Sequence, residues 1–147
     1  MGSRYRIRAY TAAMAVTDEK YVSATTYRRS GAAVSTATWI VALDGDRFGF
    51  WTSSRSGKYK RLRNNPAITV QPSDARGRVK GGSSPVAGTA ELVTSGADFD
   101  AIQRQVRAKY GVVVPISKFM NTLGHIGKGK FPYGDVGVVI TPTGLQG

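Results

Sequence analysis

Between Tyr21 and Thr52, three runs rich in β-branched and aromatic residues follow one another with only turn-sized gaps. Tyr21–Tyr27 (YVSATTY) has strand composition. Arg28-Arg29-Ser30-Gly31 makes a turn, and Ala33–Leu43 is a second strand. Asp44-Gly45-Asp46 is a hairpin signal, because Asp-Gly tolerates the positive φ that a tight hairpin turn requires. Arg47–Thr52 (RFGFWT) is the third strand, with Phe48 and Phe50 on one face and Trp51 on the other. Three sequential antiparallel strands joined by short turns form a meander, so the fold is expected to grow from an antiparallel sheet.

The hydrophobic period then changes. Ser56–Asn65 (SGKYKRLRNN) reads as a short helix, with Ser56 as its cap and Pro66 just beyond its end. Ala67–Gln71 is a fourth strand, Ser73–Pro85 a mobile Gly/Ser-rich loop, and Val86–Val93 a fifth strand. In Asp98–Tyr110, the residues Phe99, Ile102, Val106 and Tyr110 lie on one helical face. Ser95 with Asp98 resembles a capping box, and Gly111 ends the helix. A second helix is expected between Pro115 and Gly127, then a basic glycine-rich loop to Gly134 and a last strand at Asp135–Ile140. Residues 10–20 are expected to hold a short helix. Six mostly antiparallel strands with inserted helices point to a small β-barrel with α additions, in one domain spanning residues 1–147. Its parts are an N-terminal segment 1–20, barrel strands in 21–93 around helix 56–65, helices in 97–127 and the final strand near 134–141.

Composition narrows the chemistry. There is no cysteine, so disulfides, thiolate catalysis and Cys-ligated metals are excluded. The single histidine, His125, cannot make an ordinary zinc site alone, and no HExxH or GxSxG occurs. Nine carboxylates form no obvious close pair, which argues against glycoside hydrolysis and magnesium-dependent phosphodiester cleavage. No metal site is expected. Without a long apolar run or an apolar leader after the basic start, neither membrane span nor signal peptide is expected, and the cytoplasm is the expected compartment.

Twenty-one Lys and Arg give a net charge of +12. Arg47, Arg55, Lys58, Lys60, Arg61, Arg63, Arg76, Arg78 and Lys80, against the single acid Asp74, place +8 of it between positions 47 and 80. Such a run is either a solvated face or a site for a polyanion, whether nucleic acid or a phosphorylated, carboxylate-rich small molecule. Gly57-Lys58 is not a P-loop, because Thr52 stands where the first glycine belongs and Tyr59 replaces the magnesium-binding hydroxyl. No Rossmann glycine pattern opens a helix. Ser56-Gly57-Lys58 nevertheless starts a helix whose free N–H groups and dipole favour an anion, supplemented by Lys60 and Arg61. A chain poor in acid, base and nucleophile, yet equipped with an anion cradle, either does no chemistry or takes it from a cofactor.

The pattern W-T at 51–52, S-G-K-x-K-R-L-R-x-N-P from Ser56 and D-x-R-G-R from Asp74 resembles the split-barrel flavin/deazaflavin oxidoreductases related to pyridoxamine phosphate oxidase. Within these it is similar to the F420-dependent B group of the same class, found in actinobacteria. The resemblance covers about Tyr21 to Val93. It implies a mainly β, split-barrel homodimer with two cofactor sites at the subunit seam. It also implies that the deazaflavin ring lies against Val34, Ser35 and Thr36, bordered by Trp51 and Thr52. The cofactor phosphate would sit at Ser56, Gly57 and Lys58, with Lys60 and Arg61 near. Arg76, Arg78 and Lys80 become candidates for the oligoglutamate tail. The resemblance implies hydride transfer from reduced F420 to an unsaturated small molecule, with Tyr110, His125 and Tyr133 as weak proton-donor candidates. FMN on the same fold is the alternative cofactor, and a non-catalytic F420-binding protein the alternative role. Nucleic-acid binding is disfavoured, since the aromatic residues lie in apolar strands and are not interleaved as stacking platforms.

Overall fold

The computed structural model describes residues 15–111 and 134–144. Seven strands form one antiparallel sheet: β1 (Tyr21–Tyr27), β2 (Ala33–Thr38), β3 (Val41–Ala42), β4 (Phe48–Thr52), β5 (Ala67–Ser73), β6 (Val86–Val93) and β7 (Val136–Gly144). Among the described residues two helices are inserted, α1 (Gly57–Asn64) and α2 (Ala97–Tyr110). Residues 15–17 are also helical, within the helix expected for residues 10–20.

The strand order is β2-β1-β5-β6-β7-β4-β3. This corrects the expected meander. The run Ala33–Leu43 is not one strand: it breaks at Trp39 and Ile40, so that β2 pairs with β1 at one edge of the sheet and β3 pairs with β4 at the other. Six inter-strand spacings would separate those edges by about 29 Å in a flat sheet. Two linking residues reach roughly 11 Å at most. The sheet must therefore curl until its edges meet, and a half-barrel follows from that one break.

The inner face collects Val22 and Ala24 of β1, Phe48 and Phe50 of β4, Ile68 and Val70 of β5, and Val138 and Ile140 of β7, each at most 1% exposed. A second cluster lies outside the β3–β4–β7 edge, where Ile102, Val106 and Tyr110 of α2 pack on Val41 and Val139. Close approach of α2 depends on two glycines. A Cβ at Gly49 or at Gly137 would stand 3.1 Å from the Ile102 side chain.

The expected capping box at α2 is absent. Gly96 is the cap residue, with no side-chain bond. Asp98 instead takes a paired contact from Arg47 across the β3–β4 hairpin, at 3.0 and 2.9 Å. Two charge-assisted bonds from the planar guanidinium outnumber the single bond that Asp98 would make to a cap amide. The segment after β5, expected to be a mobile loop, is tied down. The Asp74 carboxylate accepts from the Arg76 and Arg78 amides and from Arg78 Nε. Gln71 bonds Ser83, and the Lys80 amide bonds Pro72. Among the described residues, no helix is long and apolar enough to cross a membrane. The helix expected after Pro115 lies outside the described residues.

Candidate functional site

The end of β4 leads through a tight turn into α1. The Ser56 amide bonds the Ser53 carbonyl at 2.9 Å, and Ser53 Oγ accepts from the Arg55 amide. Ser56 caps α1 as expected, its hydroxyl accepting from the Tyr59 amide at 3.1 Å. Thr52 Oγ1 lies 3.0 Å from the same hydroxyl. The Lys60 amide is engaged by the Ser56 carbonyl. The Gly57 and Lys58 amides are the remaining orphan donors of the first turn, and no acidic residue lies there.

Helix α1 packs against β1 and β6, and its Lys58 Nζ lies 5.3 Å from the Phe50 ring centroid on β4. These strands are not sheet neighbours, so α1 lies across the opening of the half-barrel. Burial, and then the charge of Arg61, hold the Lys58 ammonium down at about 8 against its ordinary 10.5. Arg61 Nε donates to Thr26 Oγ1 at 2.6 Å. A Cβ on Gly57 would meet an Arg61 terminal nitrogen at 2.6 Å, so the guanidinium lies over the helix start. Burial and Arg28 depress Arg61 as well. Lys58, Arg61 and Arg28 thus form a run of cations, and among the described residues no carboxylate pairs with any of them.

The expected site residues divide into groups. Thr52, Ser56, Gly57, Lys58 and Arg61 converge, while Lys60 is exposed on the outer side of the same helix. Val34, Ser35 and Thr36 lie on β2 opposite Thr26, Thr25 and Ala24. Their alternation puts Val34 and Thr36 on the inner face with Thr26, and Ser35 outside, where its hydroxyl lies 2.7 Å from Thr25 Oγ1. Thr36 Oγ1 is buried without a hydrogen-bond partner among the described residues. Trp51 is outward, in the α2 cluster, with its ring centroid 6.2 Å from that of Trp39 and its ring against Gly134. Arg78 is engaged by Asp74 at 2.7 Å and Lys80 by Glu19 at 2.6 Å, away from the cradle's cation run. Tyr110 is buried, and its hydroxyl accepts from the Ile40 amide with the Ile40 and Lys20 carbonyls also in reach. Burial pushes that phenol up to about 12. His125 and Tyr133 lie outside the described residues.

Sequence reasoning missed Thr26, Arg28, Phe50 and Asp135. The first two sit at the end of β1, where nothing local links them to a helix some 35 residues later. Asp135 lies 81 residues from its partner Ser54.

A cavity of about 620 Å³ lies apart from this cradle on the outer face, walled by Tyr27, Pro66, Thr69, Pro85, Thr89 and Thr143. Its lining carries no charged side chain.

An antiparallel half-barrel whose opening is crossed by a helix with an acid-free cationic start is a split barrel with cations gathered at its mouth. The chain belongs to the pyridoxamine 5'-phosphate oxidase family, whose model matches residues 11–132. Solved structures share the fold at low identity. A conserved hypothetical protein of Mycobacterium tuberculosis matches at TM-score 0.62 and 20% identity, over 90% of this chain and 79% of its own. An F420 reductase matches at TM-score 0.54 and 22% identity, over 88% and 91%. An FMN-binding protein from Nostoc punctiforme matches at TM-score 0.51 and 15% identity, over 91% and 75%. No curated protein matches the chain.

Proposed function

We propose that this protein is an F420-dependent oxidoreductase that delivers a hydride from reduced deazaflavin to an unsaturated small molecule. The observation that carries this proposal is the Arg61 guanidinium lying over the start of α1 beside Lys58, with Arg28 near enough to Arg61 to depress it and no carboxylate partner for any of the three among the described residues. One phosphate needs the Gly57 and Lys58 amides and about two cations. The further cation favours a ligand with more negative charge than FMN, and F420 adds carboxylates. The unpaired Thr36 hydroxyl on the inner face of β2 is consistent with a polar ring edge there. When bound, the deazaflavin supplies the hydride. The chain's own contribution is to hold the phosphate at Ser56, Gly57 and Lys58, and to orient the ring and exclude water. Hydride transfer of this kind asks for no metal and no protein nucleophile.

FMN is the alternative cofactor, favoured by the FMN-binding neighbour, and non-catalytic F420 binding is the alternative role. The same proposal includes a homodimer with its two cofactor sites at the subunit seam, as the resemblance implies. The test is titration with F420 and with FMN, followed by quenching of Trp39 and Trp51 fluorescence. F420 is expected to bind more tightly. Binding of FMN alone promotes the alternative, and binding of neither refutes both. F420 binding without turnover across varied acceptors supports the non-catalytic role.

A further inference from the structure

Asp135 precedes β7 and is half-buried beside the turn that starts α1. Its Oδ1 accepts from the Ser54 amide at 2.9 Å and its Oδ2 from the Ser54 hydroxyl at 2.6 Å. Ser54 lies two residues before the cap, between Thr52, which touches the Ser56 hydroxyl, and Ser56 itself. The carboxylate makes no ion pair among the described residues. The chain around it is fixed independently. The Gly134 carbonyl accepts from Gln103 Nε2 at 2.7 Å, and a Cβ at Gly134 would stand 2.9 Å from the Trp51 ring. Asp135 therefore reaches Ser54 from a rigid base on α2 and β4.

We propose that Asp135 is a positioning residue for the anion cradle. It holds the 53–56 turn so that the Gly57 and Lys58 amides stay free and aimed at the ligand, although its own charge opposes an anion. The inference rests on the proposed phosphate site. Its two effects have opposite signs, which makes it separable from simple electrostatics. Removing a negative charge near an anion site should by itself tighten binding. Removing the clamp should weaken it, because the pre-organised donors lose their aim.

The experiment uses the full chain and its Asp135→Ala, Asp135→Asn and Ser54→Ala variants, each well below its own melting temperature. FMN and F420 are titrated by Trp fluorescence, and inorganic phosphate by the amide NMR shifts of Gly57 and Lys58. Asp135→Ala is expected to raise Kd about tenfold, from the two lost bonds. Asp135→Asn keeps an acceptor for the Ser54 amide and offers an N–H to its hydroxyl, so it should bind at least as tightly as the parent protein. Ser54→Ala, which keeps the backbone bond, should weaken binding about threefold. It carries the test if Asp135→Ala does not fold. The proposal is overturned if Asp135→Ala binds as tightly as, or more tightly than, the parent, or if Asp135→Asn is as weak as Asp135→Ala. If Asp135→Ala does not fold, unchanged affinity in Ser54→Ala overturns it. Failure of the parent protein to bind either cofactor refutes the phosphate site itself, and the positioning role falls with it.

Discussion

Under the proposed function, Lys58 should make anion binding at α1 dependent on pH in a window that the ligand itself does not cover. In the ligand-free protein, burial and Arg61 bring the ammonium down to about 8 from its ordinary 10.5. A phosphate at the helix start favours the charged form, so binding must protonate whatever fraction of Lys58 has lost its proton. That fraction is small at pH 7 and about nine-tenths at pH 9, which predicts affinity weaker by about tenfold at pH 9 than at pH 7. A phosphodiester such as that of F420 does not titrate in this range, and the monoester of FMN, titrating near pH 6, is already doubly charged across it. Isothermal calorimetry in two buffers of different ionisation enthalpy should show uptake of about half a proton at pH 8. Lys58→Met should abolish both the slope and the uptake, and weaken binding at pH 7 by about 1.5–3 kcal/mol through loss of a charge-assisted contact. The ligand-free protein should move the other way. Between about 8 and 10.5 the unfolded chain binds a proton that the folded chain does not, so stability rises with pH through that window. Lys58→Met removes the cost of the buried charge, up to about 3 kcal/mol, and should raise the melting temperature at pH 7. A Kd that stays flat from pH 7 to 9.5, with no proton uptake, would refute the placement of Lys58 in the site.

Tyr110→Phe should lower stability by about 1–3 kcal/mol, seen as a lower urea midpoint at unchanged slope, because the buried Ile40 amide loses its acceptor at 2.9 Å. Anion affinity should hold in that variant. Gly134→Ala should cost about 1–3 kcal/mol and shift Trp emission, because the new methyl meets the Trp51 ring at 2.9 Å.

Local signals in the sequence carried most of the elements. Tyr21–Tyr27 and Val86–Val93 form strands at the expected bounds, and Ser56 caps α1 as its hydroxyl and position suggest. That Thr52, Ser56, Gly57, Lys58 and Arg61 come together was legible because they lie within one turn-and-helix segment. The break at Trp39–Ile40 was not legible, since both residues have strong strand propensity and the cause lies elsewhere. Tyr110 stacks on Trp39 with centroids 4.3 Å apart, its hydroxyl takes the Ile40 amide, and Lys109 Nζ bonds the Ile40, Thr17 and Glu19 carbonyls. The end of a helix some 70 residues later thus holds the link that lets the two edges of the sheet meet. Asp98 shows the same limit: it reads locally as part of a helix cap and is claimed instead by Arg47.

Tertiary structure also sorts the cations that the sequence presents as one run. Arg47 is engaged by Asp98 and Asp44, Arg78 by Asp74, and Lys80 by Glu19. Each of these has a neighbour that accounts for it. Lys58 and Arg61 have no carboxylate partner among the described residues, and both are held where burial and a like charge disfavour them. A surface built only for solubility keeps its ammonium groups in water, where a lysine carries almost no penalty. Holding Lys58 over the Phe50 ring at the mouth of a barrel, with Arg61 across the same helix start, destabilises the ligand-free fold. Under the proposed function, that cost is offset when an anion binds. The unpaired cations, more than the size of the net charge, are therefore the part of the +12 that points to a cofactor.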